Sequence, residues 1–199
     1  MRWGSRTRVQ PRPPEERLAG LAVGDRVVYG SYGLGRVAVK ETRAVAGAEH
    51  EVVVVELGDG LLVTLPLERA LGCLRRVADQ AELEDVQRIL RGSVIDEQAW
   101  QKRLRVAREK VVDGTPVGLA EVVRDSARRE AEVRARGGAR LSTAEHGLYT
   151  KARQLLAAEI GCSLGIPTTA ADDWIDEQLA DSNDNASTTP PAVTRSRLG

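Results

Sequence analysis

Hydrophobic periodicity changes once along this chain, near residue 78, and that change limits what the chain can fold into. Before it, short apolar runs alternate with turn residues, as in strands; after it, apolar residues recur at helical spacing. A β module followed by a helical bundle is therefore predicted. Val27, Val28 and Tyr29 make a first strand before a glycine turn at Gly30, Gly33 and Gly35. Arg36 to Val45 is a second strand, turned by Ala46-Gly47-Ala48. The unbroken run Val52 to Val55 suits a strand covered on both faces. Gly58-Asp59-Gly60 is a hairpin-type turn, and Leu61 to Leu65 returns until Pro66 ends the ladder. Four or five strands within about 50 residues make a small barrel or a strongly bent sheet.

Beyond the switch, Leu83, Val86, Ile89 and Leu90 share one helical face. Trp100, Leu104, Ala107 and Val111 form a second apolar stripe, stopped by Asp113-Gly114-Thr115-Pro116, which also starts a third helix burying Leu119, Val123 and Ala127. Ser142-Thr143-Ala144-Glu145 is a capping box. The helix it opens turns Leu148, Ala152, Leu155, Leu156 and Ile160 inward. A weaker helix runs from Asp172 to Leu179. The expected organisation is a disordered arm over 1–20, a β domain over 21–75, a helical domain over 79–181 and a disordered tail over 182–199.

Charge sharpens the functional reading. The chain carries 29 Lys plus Arg against 29 Asp plus Glu, which argues against a nucleic-acid partner until it is resolved by segment. Net charge is +3 over residues 1–20, −4 over 21–99, +6 over 100–153 and −5 over 154–199. A neutral chain can thus present a basic segment to phosphate. Trp100 begins that segment, followed by Lys102, Arg103, Arg105, Arg108 and Lys110. Two readings of Trp100 stay open. Periodicity puts it on a core-facing stripe, whereas its place in the first helical turn lets the ring project as a wedge against base steps. The cations have two readings as well, a solvated helix face paired with Glu109, Asp125 and Glu130, or a DNA contact.

Enzyme chemistry finds little support. His50 and His146 have no Ser or Cys tied to them, and Gly30 to Gly35 lacks the Gly-Lys-Ser/Thr of a phosphate loop and is followed by strand residues. Cys73 and Cys162 suit neither a disulfide framework nor a zinc site. Asp172-Asp173 and Asp176-Glu177 lack the spacing of a calcium loop and read as a solvated acidic face. No cofactor or metal is expected. The longest uncharged run, Ile160 to Ala171, is too short for a bilayer span of about 20 residues. The first residues lack the apolar stretch of an export signal, so a cytoplasmic protein is expected.

The two halves together resemble the CarD/CdnL family of bacterial transcription regulators. The β half carries Val23-Gly24-Asp25-Arg26-Val27-Val28-Tyr29, then Gly33-Leu34-Gly35 and the stretch Glu51 to Pro66. The helical half carries Trp100-Gln101-Lys102-Arg103, Asp113-Gly114, Ala120 to Asp125, Leu141-Ser142 and Lys151-Ala152-Arg153-Gln154-Leu155-Leu156 in the same order. The resemblance covers about residues 21–160. It implies an α+β fold class, with a small N-terminal Tudor/SH3-like β-barrel domain and an all-α helical bundle.

It further implies a non-enzymatic monomer that docks on the RNA polymerase β subunit and touches promoter DNA at the upstream edge of the transcription bubble, stabilising the open complex. Polymerase contact is implied for Arg43, Val63, Thr64 and Leu65. Minor-groove DNA contact, weak alone, is implied for Trp100, Lys102, Arg103, Arg105, Arg140 and Lys151. Such a protein associates with the nucleoid through the polymerase. The chain departs from the family at Gly30 and Tyr32, which replace proline and histidine, and at Thr64, which replaces a longer side chain. His146-Gly147 replaces a basic pair. The alternative reading is a divergent paralogue, a polymerase-tethering scaffold with little DNA contact.

Overall fold

A computed structural model of the chain describes residues 21–45, 48–58, 60–92, 100–137 and 141–186. The chain divides between Val77 and Ala78 into two compact units. In the first, β1 (Arg26–Tyr29) leads through a 3-10 turn (Gly30–Tyr32) into β2 (Gly33–Val45), followed by β3 (Ala48–Leu57) and β4 (Leu62–Pro66). A short helix α1 (Leu67–Cys73) and a three-residue strand β5 (Leu74–Arg76) complete the unit. The strands form one sheet in the order β4-β3-β2-β1-β5, with every pairing antiparallel.

This sheet is open, which corrects the expectation of a barrel. Its outermost strands, β4 and β5, pair with β3 and β1 and not with each other, and α1 joins them. β2 starts at Gly33, three residues before the Arg36 expected from sequence, because Gly33 and Gly35 pair with Tyr29 and Val27. Gly30 and Gly33 have φ of +42° and +87°, the left-handed region that glycine tolerates. Gly35 is required for a different reason. A Cβ there would lie 2.8 Å from the Glu56 carbonyl oxygen and 2.9 Å from side-chain carbons of Val55 and Leu57. All four valines from Val52 to Val55 are buried. Val53 and Val55 pack with Val27, Val37, Leu57 and Leu65 in the core.

The second unit contains α2 (Gln80–Arg91), α3 (Trp100–Asp113), α4 (Pro116–Ala135), α5 (Thr143–Leu164) and α6 (Thr168–Ala186). Leu83, Val86, Leu90, Leu119, Val123, Leu156, Ile160 and Ile175 form its core, while Ala127 and Leu148 are only partly buried. Three helix starts are capped by side chains: Asp79 and Glu82 box α2, Thr115 accepts from Gly118 N–H at α4, and Ser142 and Glu145 box α5. The buried Glu159 carboxylate accepts from Ala78 N–H at 3.0 Å, and Ser163 donates to the Ala78 carbonyl at 2.8 Å. These bonds fix the segment entering α2 to α5.

The last helix begins four residues earlier than the sequence suggested and runs on to Ala186, past the tail boundary expected at residue 182. Once nucleated by packing of Ala171 and Ile175, a helix adds further residues at little cost even where they are polar. Residues 1–20 and 187–199, expected to be disordered, lie outside the described residues. Nor is the face of α6 simply solvated. Arg153 of α5 donates from Nε to Asp172 at 2.6 Å and from both terminal nitrogens to Asp176 at 2.7 Å. Asp173 and Glu177 do face water. No helix among the described residues is long and apolar enough to cross a membrane.

Candidate functional site

Two surfaces hold the residues singled out from sequence, one in each unit. In the β unit, Arg43 lies on β2 opposite His50 of β3, and its Nε donates to Glu41. Thr64 pairs with Val54, which pairs in turn with Val39. Residues paired across strands share a face, and faces alternate along a strand. Thr64, Val39 and Arg43 therefore share one face, while Val63 and Leu65 belong to the opposite, core-packed face with Val37 and Val55. Register puts Arg43 two strands and four residues from Thr64, about 10 Å across and about 13 Å along the sheet. Leu65 is buried, so a partner at that position meets backbone rather than side chain. Among the described residues β4 is also an edge strand, with β3 on one side only.

In the helical unit, burial deepens along the α3 stripe. Val111 is 5% exposed, Leu104 and Ala107 are half-buried, and Trp100 at the helix start is 45% exposed. The ring is thus not packed into the core, although it sits on the core-facing stripe. Arg103, three residues on, shares its face; Lys102 and Arg105 turn away at about 100° per residue and are exposed. Lys151 is exposed on α5, and Arg140 lies outside the described residues.

Sequence reasoning saw Glu145 only as a helix cap and left Arg129 out of the site. Here the starts of α3 and α5 meet the middle of α4. Glu145 Oε2 accepts from the Ser142 hydroxyl at 2.7 Å and from Ser142 N–H at 3.2 Å. Its Oε1 lies 3.4 Å from Arg129 and 3.9 Å from Arg103. The Trp100 side chain also hydrogen-bonds this carboxylate, and the indole N–H is the only donor it has. Burial pushes the Glu145 carboxyl up. The bonds from Ser142 and Trp100, with the charge of Arg129, outweigh that and hold it below the ordinary glutamate range. Beside this cluster, an apolar cleft of about 80 Å³ is floored by Leu104, Ala107, Val122 and Leu148.

Several cations nearby have acidic neighbours. Arg105 lies 3.8 Å from Glu109, and Lys110 lies 2.8 Å from Glu121. Arg124 is buried and bonds Asp125 at 2.7 Å. Among the described residues no three His, Cys, Asp or Glu side chains converge as metal ligands.

An antiparallel sheet with an open edge, followed by a helical unit with an exposed tryptophan at a helix start, offers surfaces to which a partner can add. In comparison with known families, residues 21–78 match the CarD-like/TRCF RID domain, and residues 85–176 match the CarD C-terminal domain. The chain belongs to the CarD-like family, non-enzymatic transcription factors that interact with RNA polymerase. The β unit is accordingly a Tudor-like domain, here with its sheet unclosed.

Proposed function

We propose that this chain binds the RNA polymerase β subunit through its β domain and contacts promoter DNA at the upstream edge of the bubble through its helical domain. The observation that carries the DNA half is Trp100, a large aromatic ring left 45% exposed at the start of a helix. An aromatic wedge costs a few kcal/mol of unstacking in intact duplex and less where stacking is already broken. It therefore binds the open state better than the closed one, and such a difference is what shifts an equilibrium. Lys102, Arg103, Arg105, Arg140 and Lys151 supply phosphate contacts in the minor-groove approach. Docking raises the local concentration of this domain at the DNA, so weak affinity of the free monomer suffices.

For the polymerase half, Arg43 and Thr64 offer side chains on one face of the sheet, and the β4 backbone at Val63, Thr64 and Leu65 offers an edge, unpaired among the described residues, to which a strand can add. Arg43→Glu is expected to weaken retention of the β subunit in a pull-down; equal retention contradicts this contact.

One observation favours a tethering scaffold with little DNA contact: Arg103 and Arg105 already have acidic partners in Glu145 and Glu109. Salt separates the readings. If the cations reach phosphate, binding of the polymerase complex to forked promoter DNA steepens with salt by a slope of about −0.9 per phosphate engaged. A scaffold leaves the slope of polymerase alone.

A further inference from the structure

Trp100 is 45% exposed, and the Glu145 carboxylate reaches the first turn of its helix from the start of another. Its Oε1 lies 3.9 Å from Arg103, which shares the face of Trp100, and a hydrogen bond from the Trp100 side chain is among the causes that hold the carboxyl below its ordinary range. Capping does not require that reach. The bonds to Ser142 use Oε2, whereas Oε1 is turned toward Arg129 and Arg103. Glu145 therefore holds together groups from α3, α4 and α5, and its side chain is only 16% exposed.

A tryptophan that enters a base step must give up the water on its indole N–H. A donor buried without a partner loses its full hydration, about 1–3 kcal/mol. An acceptor already on the protein removes that cost in advance and fixes the ring. A bare carboxylate next to DNA would repel phosphate, but Arg103 and Arg129 balance this one.

We propose that Glu145 is a positioning residue for Trp100: its carboxylate takes the indole N–H and orients the ring, so that the wedge enters DNA with no unsatisfied donor. This rests on the reading of Trp100 as the DNA wedge, and the test keeps the two apart. The first readout is the indole N–H resonance of Trp100 in the full chain, identified among three tryptophans by its loss in Trp100→Phe. The second is open-complex lifetime with the host's RNA polymerase. Glu145→Ala is expected to move that resonance, speed its exchange with water and shorten the lifetime about three- to tenfold, the share of a charge-assisted hydrogen bond left after partial solvation. Should Glu145→Ala fail to fold, Glu145→Asp keeps the negative charge at the helix start but is one carbon short, and the same changes are expected of it. Glu145→Gln keeps an acceptor and is expected to hold the lifetime within about twofold.

An unmoved resonance in Glu145→Ala, or Glu145→Asp in its place, overturns the inference. So does a moved resonance with an unchanged lifetime, when Trp100→Ala shortens that lifetime. An unchanged lifetime in Trp100→Ala instead sinks the wedge itself, whatever the resonance reports of the contact.

Discussion

Arg153 offers the sharpest test of how the helical domain holds together. Its guanidinium has five N–H donors, and five hydrogen bonds leave it. Nε reaches Asp172 at 2.6 Å; Nη1 reaches Asp176 at 2.7 Å and the Tyr149 hydroxyl at 3.2 Å; Nη2 reaches Asp176 at 2.7 Å and the Asp172 carbonyl at 3.3 Å. These bonds, those to Asp176 and Asp172 foremost, raise the guanidinium pKa further above its ordinary value. The perturbation is Arg153→Met, which keeps much of the apolar stem and deletes every donor.

Bonds to charged groups contribute about 1.5–3 kcal/mol each when dry, but Asp172 and Asp176 are 44% and 61% exposed. Exposed pairs contribute about 0.2–1 kcal/mol, with bidentate geometry at the upper end. Two such pairs and the weaker bonds together give about 2 kcal/mol. Water can take over both aspartates, so no large penalty for a stranded charge is added. For a domain of this size the loss lowers the melting temperature by about 8–10 °C. Circular dichroism at neutral pH reads it directly. In 1 M salt the difference should shrink but persist, since hydrogen-bond geometry is less screened than bare charge. A melting temperature within one or two degrees of wild type, beneath the effect derived from about 2 kcal/mol, would refute the clamp.

Two further outcomes are expected. Gly35→Ala pushes a Cβ against the Glu56 carbonyl oxygen at 2.8 Å and should cost the β domain about 2–3 kcal/mol in chemical unfolding, an effect absent if the strands can part. The pH dependence of the helical domain should carry the mark of Glu145. Its carboxyl is held below its unfolded value of about 4.3, so its stabilisation is complete above that pH and is lost as pH falls through the lower folded value. Glu145→Gln should flatten that acid limb in melts taken from about pH 5 to pH 3; an unchanged slope contradicts the cluster.

Local chemistry made much of this fold legible. The valine run, the Thr115-Pro116 start and the Ser142 box each act within a few residues, and each behaves as its chemistry dictates. The Asp79 box was equally readable, as Asp followed by Glu three residues on, but went unread. By contrast, α1 and β5 had no signal to find. Seven and three residues are too few for a period to show, and β5 exists because Val27 and Val28 of β1 lie alongside to pair with it. Long-range placement was also out of reach. Nothing in the sequence says that Glu145 meets Trp100, 45 positions earlier, or that Arg153 answers the acidic face of α6. Periodicity alone pointed Trp100 inward; only its position at the helix start pointed outward, and its exposure follows the second.

The central claim is that this protein keeps promoter DNA open. Its most direct measurement is the lifetime of open complexes formed by the host's RNA polymerase, challenged with a competitor, alone, with the protein, and with Trp100→Ala. The account predicts a longer lifetime with the protein and loss of that gain in Trp100→Ala, which still binds polymerase. Equal lifetimes with and without polymerase-bound protein would contradict it.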